Sequence, residues 1–413
     1  MEVSLDAVMA QGGCPGGGDC GTLDSMRNGM HEFLAQERVI WGKPAALAAV
    51  EEADRRGARR VFIVTSKTLN RKTDAVERIR AALGARHVGT FDECVEHTPR
   101  PSVIAAADAA RAVAPDLVLT IGGGTAIDTV KVMLIAIAHG LTRAEQLGDF
   151  HLRANPDGSR HTPLVKAPPY RQVVVSTTLS AAEFSDFGGA TDPVRRIKDG
   201  YAGRFIGAAA VILDPEITLH TPQWLWLSTA VRAIDHAAEG VCSIEPSPLI
   251  EATSLHALRL LASGLTRCKA DPTDLTARLA CLQGAWLSGF GILRVPYGAS
   301  HGIGHSLGAV TGMSHGHTSC IMLPHVLRFN HAVTREAQMR IAQALGRDDG
   351  DAAQAVTELV AALGLPGRLR DLEVRREDFA TIARGAAENL WVRTNPRPIK
   401  SADDLVGLLE AAW

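Results

Sequence analysis

Leu117-Val118-Leu119-Thr120-Ile121-Gly122-Gly123-Gly124-Thr125-Ala126-Ile127-Asp128 is the stretch whose reading decides the fold. It reads as a strand over Leu117–Ile121, a turn of three glycines and a helix running from Thr125 to about residue 138. The run before the turn is apolar without alternation, as in a strand buried on both faces of a parallel sheet. Three residues without Cβ let the backbone approach a phosphate closely, and the amides at a helix N-terminus point at its oxygens. A tight structural turn is the alternative use of the same residues. The stretch lacks the Walker lysine and hydroxyl and is not a Gly-x-Gly-x-x-Gly fingerprint, which argues against a P-loop nucleotidase.

Working outward, Arg60-Val61-Phe62-Ile63-Val64-Thr65 is a second buried-strand pattern. Between and around the two lie helical patterns at 44–56, 73–83 and 101–113 and strand patterns at 38–42, 87–91, 172–176 and 210–213. Strand–helix alternation at this spacing predicts a doubly wound α/β sheet. After Asp214-Pro215 only helical patterns follow, at 227–242, 248–264, 272–289, 296–308, 322–330, 334–345, 350–362 and 401–411. The expected organisation is an α/β domain over 31–214 and an all-helical domain over 215–413. Residues 1–30, with Gly12-Gly13-Cys14-Pro15-Gly16-Gly17-Gly18, read as a flexible extension.

The chain has 413 residues, 46% hydrophobic and 21% charged, with a formal net charge of −2. Those values are ordinary for a globular protein and give no reason to expect nucleic acid or an anionic membrane as partner. No apolar run approaches a membrane span, and the N-terminus lacks the basic and apolar regions of a secretory signal. The seven cysteines (14, 20, 94, 242, 268, 281 and 320) are never spaced Cys-x-x-Cys, which suggests reduced thiols in a cytoplasmic protein.

Three further stretches carry chemistry. Ser176-Thr177-Thr178-Leu179-Ser180-Ala181-Ala182-Glu183 puts hydroxyls at a strand end, where they can bind a nucleotide; Ser180 and Glu183 also read as a capping box. Arg232-Ala233-Ile234-Asp235-His236-Ala237-Ala238-Glu239 lies in a helical pattern, with Arg232 and His236 on one face and Asp235 and Glu239 likewise. His301-Gly302-Ile303-Gly304-His305 continues to His315-Gly316-His317, packing four histidines and five glycines into seventeen residues. A helix over Gly302–Leu307 places His301 and His305 one turn apart, and a glycine-punctuated turn lets His315 return to the same point. Imidazoles gathered in this way hold a divalent metal or move a proton near neutral pH.

In this order and spacing, the glycine turn with Asp128, the Thr-Thr strand end, Asp214-Pro215, the His236 helix and the His301/His305/His315 segment resemble the iron-containing (group III) alcohol dehydrogenase superfamily. Glu96-His97-Thr98-Pro99, the short Thr177–Glu183 loop and Asn395-Pro396-Arg397-Pro398-Ile399 look like its maleylacetate reductase branch. The resemblance implies a Rossmann-like dinucleotide domain, a helical domain, a catalytic cleft between them and commonly a homodimer. It implies NAD(P)H-dependent reduction of a small oxo-acid, with maleylacetate reduced to 3-oxoadipate as the leading expectation. By the same resemblance Gly122, Gly123, Gly124, Thr125, Asp128, Thr177 and Thr178 would contact the dinucleotide, with Lys198 near its ribose. Ser66 stands where NAD-preferring relatives carry an aspartate; with Lys67 it should admit the 2′-phosphate of NADPH, alongside NADH.

The iron enzymes hold their metal with one aspartate and three histidines, and the histidines correspond to His236, His301 and His315. His305 matches a further histidine near the nicotinamide. The aspartate position is Arg232 here. An arginine cannot ligate a metal and repels a divalent cation. Three histidines alone still suffice for zinc, so His236, His301 and His315 remain the ligands if iron or zinc binds. The expectation is metal-independent catalysis, with Arg232 polarising the carbonyl or clamping a substrate carboxylate and a protonated His305, His236 or His301 delivering the proton. An Arg232 turned away to pair with Asp235 or Glu239 is the alternative. Other functions considered are an alcohol dehydrogenase for a different small substrate, a lyase or cyclase like dehydroquinate synthase, and a binding protein without turnover.

Overall fold

The computed structural model describes residues 29–155, 160–195 and 197–413, so the expected extension over residues 1–30 lies outside the described residues save its last two. The first half alternates β1 (Arg38–Trp41), α1 (Ala45–Arg55), β2 (Val61–Thr65), α2 (Lys67–Lys72), α3 (Ala75–Leu83), β3 (His87–Phe91), α4 (Arg100–Val113), β4 (Leu117–Gly122), α5 (Gly124–Ala138) and β5 (Gln172–Ser176). A hairpin of β6 (Phe187–Asp192) and β7 (Ile197–Ala202) precedes β8 (Ala210–Leu213). Six strands form one parallel sheet in the order β1-β8-β5-β4-β2-β3. Every residue of β2, β4, β5 and β8 is buried, which is why those runs lack alternation in the sequence.

From β2 the chain steps outward to β3 and then returns to the other side of β2 to lay down β4. That reversal opens a crevice at the carboxyl ends of β2 and β4, where α/β sheets bind their ligands. Ser66 follows β2 and Gly122–Gly124 close β4, so both flank the reversal. Asp214, just past β8, accepts from the Ala45 amide at 2.7 Å and fixes the start of α1.

The antiparallel hairpin is a feature that the strand patterns of the sequence do not announce. It packs on α5 and is held by buried Arg100, which bonds Asp192 (2.9 Å), Asp199 (2.6 Å) and the Tyr201 hydroxyl (2.9 Å). Fully buried Lys131 on α5 donates to the Ala182 and Phe187 carbonyls and to the Ser185 hydroxyl, pinning the chain between β5 and the hairpin.

The second half is helical: α6 (Gln223–Val241), α7 (Pro248–Ala270), α8 (Leu275–Gly289), α9 (Ala299–Thr311), α10 (His315–Ala344), α11 (Ala352–Ala362), α12 (Phe379–Ala387), α13 (Leu390–Arg393) and α14 (Ala402–Ala411). Residues 226–241 of α6 are all buried save Thr229, so it is the central helix of this half. The helices expected at 322–330 and 334–345 follow one another in a continuous run that begins at His315, meeting at a kink where Thr334 leaves helical geometry (φ −127°, ψ 23°). Pro324 lies inside that helix, a position the residue tolerates at the cost of one backbone bond. No helix among the described residues is long and apolar enough to cross a membrane. The five described cysteines are free thiols.

Candidate active site

The α/β wall of the site is built from backbone. Gly123 precedes α5, whose N-terminus has no side-chain cap, so its first amides are available to an anion. A Cβ on Gly123 would sit 2.6 Å from the Thr178 hydroxyl oxygen and 2.7 Å from its methyl, so only glycine allows the loop after β5 to close on the turn. The Thr178 hydroxyl is buried and has no partner. A cradle a side chain would fill, an uncapped helix end and an orphaned hydroxyl together fit a bound phosphate group. Thr125 lies in the first turn of α5. Asp128 accepts from the Gly189 amide (3.1 Å) and pairs with Lys198 on β7 (3.6 Å). Ser66 caps α2 by accepting from the Leu69 amide at 3.2 Å, and Lys67 beside it is exposed.

The expected capping box of Ser180 and Glu183 does not form. Only one 3-10 turn starts there, preceded by Ala181 in a left-handed conformation (φ 59°). Glu183 is buried and instead takes a short hydrogen bond from Ser176. The Thr177–Ala181 segment is the seam between the halves. Thr221 donates to the Thr177 carbonyl (2.6 Å), Leu179 donates to Thr229 (3.2 Å), and His236 Nε2 lies 3.4 Å from the Ser180 carbonyl.

The helical wall is built from side chains. On α6, Arg232, Asp235, His236 and Glu239 line one face, spaced three or four apart. Glu239 holds the start of α9: its carboxylate accepts from the Gly298 and Ser300 amides, both 2.9 Å, and from His301 Nδ1 at 2.8 Å. His301 Nε2 in turn meets His236 Nδ1 at 2.8 Å. Asp235 is fully buried and accepts from Ser300 (2.9 Å) and Ser319 (2.6 Å), with Arg232 3.5 Å away. Arg232 also donates to Ser319 at 3.2 Å. His305 packs on Trp391 and on His315, with ring centroids 4.7 and 5.5 Å away, and its Nδ1 meets Asn389 at 3.3 Å.

Electrostatics follow from burial and from Arg232. Burial pushes His236, His305 and His315 well below the ordinary imidazole value. Arg232 lowers all three further, and Lys198, reaching across from β7, adds to the effect on His305 and His315. The three imidazoles are therefore neutral at neutral pH. Burial alone would raise the Asp235 carboxyl, but His301, Arg232 and the Ser319 hydroxyl outweigh it and hold it low.

Two expectations need correcting. His236, His301 and His315 do not gather at ligand spacing among the described residues: His301 meets Glu239 and His236 through its two nitrogens, whereas His315 packs against His305 with its Nδ1 buried and without a partner. A protonated His305 or His236 at rest is disfavoured by burial and by the neighbouring guanidinium. Of the two fates considered for Arg232, the structure shows the pairing with Asp235, and the same guanidinium acts electrostatically on all three imidazoles. Asp235 and Glu239, which the sequence offers only as face-sharing residues and partners for Arg232, are site groups in their own right; four polar residues at helical spacing in an apolar helix are the signal. Ser300, Ser319, Asn389, Trp391 and Tyr297 join the site with no such signal.

Among the described residues one carboxylate–imidazole cluster has ligand spacing: Asp235, Glu239 and His301 offer atoms within 4.8 Å of one another. The Glu239 oxygens are taken by backbone amides and the His301 ring and one Asp235 oxygen by serine hydroxyls, while Asp235 Oδ1 is buried without a hydrogen-bond partner; Arg232 adds a positive charge beside the cluster.

Residues 36–215 match the iron-containing alcohol dehydrogenase family, and residues 226–413 match the C-terminal part of the Fe-containing alcohol dehydrogenase family. A maleylacetate reductase of Burkholderia cepacia is 31% identical over 93% of this chain and 98% of its own length. Dehydrogenase FUM7 of Gibberella moniliformis is 31% identical over 87% of this chain and 92% of its own. The crystal structure of maleylacetate reductase from Agrobacterium tumefaciens superposes with a TM-score of 0.78 at 25% identity, covering 94% of this chain and 99% of that one.

Proposed function

Because the chain belongs to the iron-containing alcohol dehydrogenase family, in its maleylacetate reductase branch, and is an NAD(P)-dependent oxidoreductase, we propose that it reduces an unsaturated oxo-acid of the maleylacetate type without a metal. The observation that carries this reading is Arg232, a buried guanidinium held by Asp235 and Ser319 where a metal-ligand carboxylate would otherwise stand. We further infer an α/β domain ending near Asp214, a helical domain following it, and a dimer of such chains.

The dinucleotide would be held by Gly122, Gly123, Gly124, Thr125, Thr177 and Thr178, with Ser66 and Lys67 toward its ribose and Lys198 and Asp128 behind it. When bound, it supplies the hydride. Reducing a C=C conjugated to a ketone places negative charge on the ketone oxygen. A fixed guanidinium beside that oxygen stabilises the charge with little reorganisation, or binds a substrate carboxylate through its planar fork. The remaining step is proton delivery to carbon.

The chain Glu239–His301–His236 serves that step. His236 Nε2 faces the Ser180 carbonyl, an acceptor, so it carries hydrogen and His236 Nδ1 accepts from His301 Nε2. His301 Nδ1 faces a carboxylate and also carries hydrogen. In the proton transfer the His236 Nε2–H bond breaks as the substrate C–H bond forms, His236 Nδ1 takes the proton of His301 Nε2, and His301 keeps its Nδ1 hydrogen bonded to Glu239.

The test is metal content of the purified chain together with NADH and NADPH oxidation by maleylacetate before and after chelation. Full activity in metal-free, chelated protein is expected. Activity lost on chelation and restored by iron or zinc would make His236, His301 and His315 ligands and remove the role given to Arg232. A metal-independent dehydrogenase of another small substrate is the second reading, favoured by the equal identity to Dehydrogenase FUM7; turnover without acceptance of maleylacetate would select it.

A further inference from the structure

Away from these residues, the other face of α10 helps enclose a cavity of about 360 Å³. Cys320, Pro324, His325 and Arg328 line it from α10, and Thr357 and Val360 from α11. Gly367, Arg368 and Arg370 come from the connection that follows α11, and Ala411 and Trp413 from the end of the chain. The lining contains three guanidiniums and an imidazole but no aspartate or glutamate.

Elsewhere on this molecule exposed arginines are commonly ion-paired, as Arg347 is to Asp349 and Glu358 and Arg376 is to Glu410. Around the cavity they are not. Arg328 donates to the neutral Thr357 hydroxyl at 3.0 Å. Arg370 lies over the Trp413 ring, 5.5 Å from its centroid. The Arg368 guanidinium makes no hydrogen bond or ion pair among the described residues. Three exposed guanidiniums without a carboxylate partner give the concavity a positive face that attracts an anion.

The walls are partly built for an organic molecule. Pro324, Val360 and the Trp413 indole supply apolar surface, and the indole is already fixed, with its N–H on the Val374 carbonyl (3.3 Å) and Arg376 stacked 3.9 Å from its centroid. Because residue 324 is proline, the Cys320 carbonyl lacks its helical N–H donor beside the cavity. The volume lies within the range of small-molecule sites and far exceeds a single inorganic ion.

We propose that this cavity binds a small organic polyanion, a hydroxylated polycarboxylate or a phosphorylated metabolite, held by Arg328, Arg368 and Arg370. Ser319, which bonds Asp235 and Arg232, is the residue before Cys320. Occupancy therefore bears on the helix that carries part of the active site.

The test is calorimetric titration of the full chain, saturated with NADPH, with citrate and separately with fructose 1,6-bisphosphate, at ionic strength held constant with chloride. One site with Kd below about 1 mM is expected for at least one probe. Arg368→Ala and Arg370→Ala should each weaken it by about 10-fold, the worth of one charge-assisted hydrogen bond. Arg259→Ala, an exposed arginine outside the cavity, should leave it unchanged. Binding of citrate alone identifies a carboxylate site, and binding of the bisphosphate alone a phosphate site. No binding of either probe at constant ionic strength, or equal binding by Arg368→Ala and wild type, overturns the proposal.

Discussion

The two walls of the active site are made by opposite means. The α/β wall is backbone: a glycine turn, a helix end without a cap and a loop that closes on the missing Cβ of Gly123. The helical wall is side chain: Arg232, Asp235, Glu239 and four imidazoles, nearly all buried and each dependent on another's charge. A backbone site is set by a few consecutive residues, and it fails when an atom is added. A buried charge network is set by residues far apart in the chain, and it fails when a charge is removed.

The sharpest way to break the helical wall is Arg232→Ala. It removes the electrophile and takes from buried Asp235 one of its partners, leaving His301 and the Ser300 and Ser319 hydroxyls. The loss in kcat/KM should be about 10³-fold, as for removal of a preorganised oxyanion donor, together with about 1–3 kcal/mol of stability. Arg232→Lys keeps the charge without the planar fork and should fall between the two in steady-state kinetics, while remaining folded by circular dichroism. If added iron or zinc restored Arg232→Ala, the guanidinium would be a bystander.

Gly123→Ala attacks the other wall by adding one methyl against Thr178. Overpacking of that kind costs about 1–3 kcal/mol, so NADPH should bind about 10- to 100-fold more weakly in a fluorescence titration. At saturating cofactor, kcat should be near that of wild type. A variant with normal cofactor affinity and reduced kcat would show that the turn faces the substrate instead.

Glu239→Gln should give the reverse pattern. The amide still caps part of α9 but no longer offers a carboxylate to His301 Nδ1, so kcat should fall by about 10-fold, the scale of a hydrogen bond to a charged group. NADPH affinity should stay unchanged. The downfield Nδ1 proton resonance of His301 should move or vanish in the variant spectrum; if it persists with full activity, Glu239 is only a helix cap.

How legible each wall is in the sequence follows from the same difference. Gly122–Gly124, Thr177–Thr178 and Ser66 lie at strand ends that local apolar runs announce, so local pattern alone places the sheet and its crevice. Arg232 is legible as a departure from a family pattern. The bond between His301 and His236 spans 65 residues, and that between Asn389 and His305 spans 84; no local periodicity encodes either. The hairpin Phe187–Ala202 escapes a pattern-based reading because its glycines and charges weaken the alternation that marks a strand. The run His315–Ala344 reads as two helices because it is kinked at Thr334, and its first turns escape the reading because Pro324 follows them.

Acid should distinguish the walls as well. His236, His305 and His315 are held well below the ordinary imidazole value, first by burial, so as pH falls the unfolded chain takes up protons there before the folded chain does. Their folded values lie below 6.5, so they stabilise the fold above that pH, and the contribution is lost as pH falls from about 6.5 toward the folded values. Each imidazole contributes a slope of at most about 1.4 kcal/mol per pH unit. Thermal denaturation from pH 7.5 to 5 should show a falling Tm, with a shallower fall in His315→Asn. An identical slope in that variant would mean that His315 is solvated in the folded chain.

The mildest prediction concerns Lys67 and returns to the backbone wall at its edge. Lys67 follows Ser66, is exposed, and lies 3.9 Å from Glu93, so its charge is screened by solvent and half-engaged already. Lys67→Ala should therefore raise the KM for NADPH only about 3- to 10-fold, within the worth of one exposed ion pair, and leave that for NADH unchanged. Ser66→Asp goes further, since it sets a carboxylate where the 2′-phosphate would lie, and should reverse the preference toward NADH. It keeps the cap, because aspartate accepts from the Leu69 amide as serine does, so a changed cofactor ratio would not reflect a broken helix start. If both variants treat the two cofactors alike, the ribose lies elsewhere along the sheet edge, and the crevice between β2 and β4 holds only the phosphates.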